Sequence, residues 1–128
     1  MIVDTSALLA ILFREPEHLA FRSVIFRAEV ARLSVASYLE ANVVVFRRRP
    51  DQAGELEDLV YRLSLVLEPV TIEHARAARD GFQRFGQTRH PARLNFGDCF
   101  AYALAATSRE PLLFKGDDFS RTDIRPAL

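Results

Sequence analysis

At 128 residues the chain has room for one domain of ordinary size, with a radius of gyration of roughly 14 Å. With 49% apolar and 27% charged residues it can bury a core without disulfide staples, which excludes a disordered polymer. The 17 basic residues balance the 17 acidic ones, so the basic excess of many nucleic-acid binders is absent, and no apolar run approaches the ~20 residues of a membrane span.

Taken in chain order, Ile2-Val3 reads as a strand, Asp4-Thr5-Ser6 as capping residues and Ala7 to Leu12 as a helix. A second helix is expected from Glu15-Pro16-Glu17, with Phe21, Val24, Ile25 and Ala28 on its apolar stripe, ending near Ala31. Leu33-Ser34-Val35 is a short strand candidate, and Ser37 is expected to cap a helix from Tyr38 to Arg48 that Pro50 terminates. Asp51 is the expected cap of a helix carrying Leu56, Leu59, Val60 and Leu63. Val66 to Val70 follows as a strand, and Thr71 caps a helix carrying Ile72, Ala75, Ala78 and Phe82. The polar, proline-broken stretch from Gly86 to Leu94 reads as a loop. After it come an alanine-rich helix from Asp98 to Thr107, a strand at Leu112 to Phe114, a turn at Gly116-Asp117-Asp118 and a last short strand near Ile124. Strands alternating with helices imply an α/β fold with a mostly parallel central sheet covered on both faces.

In such sheets ligands bind beyond the carboxyl ends of the strands. Asp4 follows the first strand, and Asp117 and Asp118 follow the last long one. Glu40 lies beside an apolar stripe with Val43 and Val44 one turn on, and Asp98 shares a helix face with Ala101, Tyr102 and Ala105. Neither has a basic partner four residues on, and Gly97 would let another backbone approach closely. Each acid alone also has a plainer explanation as a cap or a first-turn charge that complements the helix dipole. Carboxylates gathered within ~4 Å, however, repel by about 4 kcal/mol per pair at an effective dielectric of 20, so a cluster requires protons or cations, and hard oxygen ligands favour Mg²⁺ or Mn²⁺.

Four segments in order, Ile2 to Leu8 (IVDTSAL), Ser37 to Glu40 (SYLE), Leu94 to Ala105 (LNFGDCFAYALA) and Leu113 to Phe119 (LFKGDDF), resemble the PIN-domain ribonucleases of the VapC toxin family over nearly the whole chain. The resemblance implies a PIN-domain α/β/α sandwich as a single domain over residues 1–128, acting as a Mg²⁺-dependent endoribonuclease in which Mn²⁺ can substitute. It implies that Asp4, Glu40 and Asp98 are catalytic acids and metal ligands, with Ser6 in support. Asp118 is the matching fourth acid and Asp117 the alternative, since many relatives place that aspartate where this chain has Gly116. It further implies a cytoplasmic toxin whose partners are a structured RNA such as tRNA, rRNA or mRNA, a cognate VapB-type antitoxin and a second copy in a homodimer.

The rival readings are a catalytically inactive PIN-like interaction module and a phospho-receiver-like domain. A receiver would use Asp4 and Lys115, but neither Val35 nor Val70 is followed by the aspartate that accepts phosphate. A haloacid-dehalogenase-like phosphatase needs an aspartate where Ser6 stands. Arg89, His90 and Arg93 in the loop before Asp98 are candidate RNA contacts, whereas Arg47-Arg48-Arg49 reads as a solvated helix end. His18, His74 and His90 are too dispersed for a zinc site, and Cys99, the one cysteine, is expected to pack inside a helix. With no partner for a disulfide and no basic segment leading into an apolar one at the start, the expected setting is the cytoplasm. Phe21, Phe26, Phe46 and Phe82 are expected to pack in the core or against a partner.

Overall fold

The computed structural model describes residues 1–88 and 90–128. Four short parallel strands, β1 (Ile2–Val3), β2 (Arg32–Ser34), β3 (Val66–Glu68) and β4 (Leu112–Leu113), form a sheet in the order β3-β2-β1-β4. Ile2 stands opposite both Arg32 and Leu112, and Val3 opposite Leu113. The pleat then separates the side chains. Val3, Leu33 and Leu113 enter one apolar cluster with Leu8, Ile11, Phe21, Val45 and Leu56, while Ile2 and Leu112 enter a second with Phe85, Tyr102 and Leu104. Helices therefore cover both faces: α1 (Thr5–Leu12), α2 (His18–Arg27), α3 (Val35–Arg48) and α4 (Ala53–Arg62) contribute to the first cluster, α5 (Ile72–Phe85) and α6 (Asp98–Ser108) to the second.

Several boundaries differ from the sequence expectation. The second helix ends at Arg27, where Ala28 turns extended, rather than near Ala31. Ser34, not Ser37, caps α3: its hydroxyl accepts from the Ala36 N–H, Val35 becomes the first helical residue, and Ser37 lies inside the helix, buried. Asp51 caps nothing. It sits in a one-turn 3₁₀ segment, Pro50–Gln52, and α4 starts at Ala53 with no side-chain cap. Thr71 does cap α5, and His74 returns the bond to the Thr71 N–H in a reciprocal box. The last pairing with the sheet is a parallel bridge from Leu112 to Pro126, beyond Ile124, and β3 and β4 are shorter than expected.

Glycine decides one packing contact in this scaffold. A Cβ at Gly81 would stand 2.4 Å from the buried Tyr102 ring, so glycine lets α5 and α6 approach. No helix is long and apolar enough to cross a membrane among the described residues.

Candidate active site

In the order β3-β2-β1-β4 the chain runs outward from β1 in two directions, so the crevice beyond the carboxyl ends of β1 and β4 is the switch point of the sheet. Asp4 is the first residue past β1. Its side chain caps α1, accepting from the Ser6 N–H at 2.9 Å and from the Ser6 hydroxyl at 2.5 Å. The Ser6 hydroxyl in turn accepts from the Lys115 N–H at 2.9 Å, which ties the segment after β4 to the segment after β1. The cap and the crevice are thus one feature of Asp4.

Glu40 projects from α3 toward the same place. Thr5 donates its hydroxyl to Glu40 Oε2 at 2.6 Å, with the Ser37 carbonyl a more distant neighbour at 3.2 Å. Asp98 opens α6, where its Oδ2 accepts from the Asn95 N–H at 2.8 Å while its own N–H donates to Asn95 Oδ1 at 3.0 Å. Between Glu40 and Asp98 stands Gly97. A Cβ there would lie 2.2 Å from Glu40 Oε1, so the close approach expected at Gly97 is made by a carboxylate rather than by another backbone.

The electrostatics record the convergence. Asp4 is 3% exposed, and burial, with Glu40 adding, raises its pKa above the ordinary carboxylate value against the opposing hydrogen bonds from Ser6. Asp98 is pushed up to about 7, first by desolvation and then by the charges of Asp4, Asp118 and Glu40, with the Asn95 bond opposing. Asp118 is among the charges that raise Asp98, and both Asp117 and Asp118 are exposed. Their loop is anchored by buried Phe119, which packs on Phe114, and by a positive φ of 95° at Gly116. Asp4, Glu40 and Asp98 each accept from a donor of the chain, Ser6, Thr5 and the Asn95 N–H, and among the described residues no three acidic, histidine or cysteine side chains stand together in ligating positions.

The donor set nonetheless fits a hard divalent cation: every charged group is a carboxylate oxygen, no lysine or arginine is paired with Asp4, Glu40 or Asp98 among the described residues, and the repulsion at Asp98 is of the kind a cation relieves. The single lysine side chain turns away, to Glu15 and Glu17. A surface cavity of about 620 Å³ lies elsewhere, around Met1, Arg32 and Glu110, and contains none of Asp4, Glu40, Asp98 and Asp118.

Other candidates fall where their surroundings take them. His90 is half-buried, accepts from the Ala92 N–H at 3.0 Å and meets Phe85 edge-on, which makes it part of the loop's own packing. Arg93 is exposed with φ 56°, and the expected RNA contact at Arg89 lies outside the described residues. Arg47 and Arg48 occupy the last turn of α3, and Arg49 covers Phe13. Cys99 is buried, donates to the Asn95 carbonyl and has its thiol pushed up to about 11 by burial and by Asp98, which leaves it unreactive. Phe21 is buried as expected, but Phe26 and Phe46 are more than half exposed. Thr5, Asn95 and the Lys115 N–H were not singled out by the sequence; only the Asn-x-x-Asp spacing of a reciprocal box carried a signal.

A parallel α/β/α sandwich that gathers carboxylates at its switch point defines a class of hydrolytic fold, and comparison with known proteins narrows it. The PIN domain family model matches residues 1–125. Ribonuclease VapC28 of Mycobacterium tuberculosis is 48% identical over 100% of this chain and 98% of its own, and ribonuclease VapC of Mycolicibacterium smegmatis is 45% identical over 97% of each. Among solved structures, the sarcin-ricin loop cleaving toxin VapC20 of Mycobacterium tuberculosis superposes with a TM-score of 0.72 at 21% identity over 98% of both chains. A toxin-antitoxin complex from Klebsiella pneumoniae gives 0.72 at 16% identity over 95% of this chain and 92% of that one, a likeness of fold. The chain belongs to the PIN-domain family and, within it, to the VapC ribonucleases. The receiver-like alternative is thereby set aside.

Proposed function

We propose that this protein is a divalent-metal-dependent endoribonuclease, the cytoplasmic toxin of a VapBC-type toxin-antitoxin pair, whose residues 1–128 act as one PIN unit. The observation that carries this reading is the mutual influence of the acids, with Asp98 raised to about 7 by burial and then by the charges of Asp4, Asp118 and Glu40, in a chain 48% identical to ribonuclease VapC28.

Asp4, Glu40 and Asp98 would hold Mg²⁺, or Mn²⁺ in its place, and Asp118, whose charge is among those that raise Asp98, would complete the set, with Asp117 the alternative. When bound, such an ion neutralises charge on the phosphodiester and acidifies the attacking water. The chain's own residues supply orientation. Ser6 holds Asp4, Thr5 holds Glu40, the Asn95 N–H holds Asp98, and Gly97 leaves Glu40 room beside α6. No side chain in the cluster is an activated nucleophile, which accords with hydrolysis by water.

An antitoxin of the VapB type would neutralise the acids with a basic side chain, and the exposed apolar residues Leu39, Phe46 and Ile72 suit a homodimer or the antitoxin. The deciding experiment incubates the purified protein with total RNA in Mg²⁺, in Mn²⁺ and in excess EDTA and sequences the new ends. Defined ends with either metal and none in EDTA are expected; cleavage undiminished by EDTA refutes metal dependence.

A further inference from the structure

Phe96 is 79% exposed, although it stands two residues before Asp98. Its ring meets that of Phe100 perpendicularly, centroids 5.0 Å apart, so the two form an open corner rather than a filled stack. Phe82 of α5 lines the same space together with Arg79, Gln87 and Cys99. The result is a groove of about 420 Å³ between α5 and α6, in the range of small-ligand sites. Cys99 and Phe96, which flank Asp98 along the chain, both line the groove, whereas none of the acids does. Aromatic walls suit a flat π-system, and the guanidinium and amide suit a phosphate and a base edge.

We infer that this groove is a nucleobase subsite, in which Phe96 stacks one unpaired base of the RNA beside the phosphodiester to be cut. The inference rests on the ribonuclease reading and adds to it a residue that sets cleavage position. An exposed phenylalanine contributes little to the fold, so its replacement leaves the acids in place, whereas stacking on it rewards any base and no bare ribose.

The chain contains no tryptophan, so Phe96→Trp installs a single indole at the proposed contact. In EDTA, where the RNA stays intact, short single-stranded oligoribonucleotides should quench this indole saturably, and the same oligonucleotide made abasic at the seated position should not. In Mg²⁺, an abasic site moved along the substrate should slow the parent at one fixed distance from the cut. Phe96→Ala should raise KM by about five-fold or more, with kcat less affected, and erase that dependence, while Phe96→Tyr keeps both. Absence of quenching, or a Phe96→Ala variant with the parent's KM and cleavage pattern, overturns the subsite while leaving the ribonuclease reading intact. A Phe96→Ala variant whose sedimentation drops from dimer to monomer also overturns it and makes the groove an interface between copies. A parent that cuts no RNA in Mg²⁺ or Mn²⁺ removes the ribonuclease reading and the subsite with it.

Discussion

Asp98→Asn separates a cation-binding acid from a helix-stabilising one, because the two roles predict opposite signs. Asparagine keeps the shape and an oxygen for the Asn95 N–H, so the variant removes mainly charge. In the native state Asp98 titrates near 7 instead of 3.8, held up by desolvation and then by Asp4, Asp118 and Glu40. A carboxyl raised on folding costs nothing below the unfolded value of 3.8; its penalty grows from about pH 4 to pH 7 and is constant above. At full value the displacement from 3.8 to about 7 corresponds to about 4 kcal/mol; because part of the carboxylate is in water we take about half, ~2 kcal/mol. For a chain of this length that is on the order of 6–10 °C in Tm. Melts followed by circular dichroism in EDTA should therefore show Asp98→Asn more stable than the parent at pH 8, with the gap closing toward pH 4.5. Saturating Mg²⁺ should then stabilise the parent, by about 2.7 kcal/mol at a hundred times Kd, and the variant much less. If Asp98 serves only the helix dipole, the variant instead loses about 0.3–1 kcal/mol in EDTA and gains from Mg²⁺ as the parent does, and the reasoning fails.

Gly97→Ala places a methyl group 2.2 Å from Glu40 Oε1, at the flexible end of that side chain, so Tm should change little while cleavage falls about ten-fold or more; a parent-like rate would show that Glu40's position is immaterial. Asp118→Asn should lower kcat/KM more than Asp117→Asn, because Asp118 is among the charges that raise Asp98; equal effects would reopen the choice. Thr5→Val removes the hydroxyl that holds Glu40 and should weaken Mn²⁺ binding about ten-fold by calorimetry, with Thr5→Ser close to the parent. Gly81→Ala drives a methyl into the buried Tyr102 ring and should cost about 1–3 kcal/mol in a denaturant titration without changing the cleavage pattern.

The layer order was legible because short apolar strands alternate with capped, periodic helices, and Glu40 and Asp98 stand out in the sequence because they lack local basic partners on faces shared with apolar residues. The cap of α3 was not. Ser34 and Ser37 stand in one Ser-Val-Ala-Ser stretch, either hydroxyl can cap, and the choice falls to where parallel pairing of β2 ends and to the burial of Ser37 beneath the helix. Asp51 failed for a related reason, since the chain after Arg49 tightens into a 3₁₀ turn before α4 begins. The contacts that orient the acids, Thr5 to Glu40 and Glu40 to Gly97, join residues at least 35 positions apart and leave no local pattern to read. Asp118 and Asp117 are adjacent in sequence, so no local pattern separates them.

The hydrogen bond from the Lys115 N–H to Ser6 spans 109 positions, and through Ser6 it fixes Asp4. At ribosomal speeds of about 5–20 residues per second, roughly 5–20 s pass between synthesis of Asp4 and synthesis of Lys115. Throughout that interval β1 has no β4 beside it, Asp98 is missing for most of the time, and the acids have no common point to occupy. Such a non-local assembly is late by topology. The contacts that orient Asp4 close only after Lys115 has been made, so the growing polypeptide carries these carboxylates apart from one another for most of its synthesis.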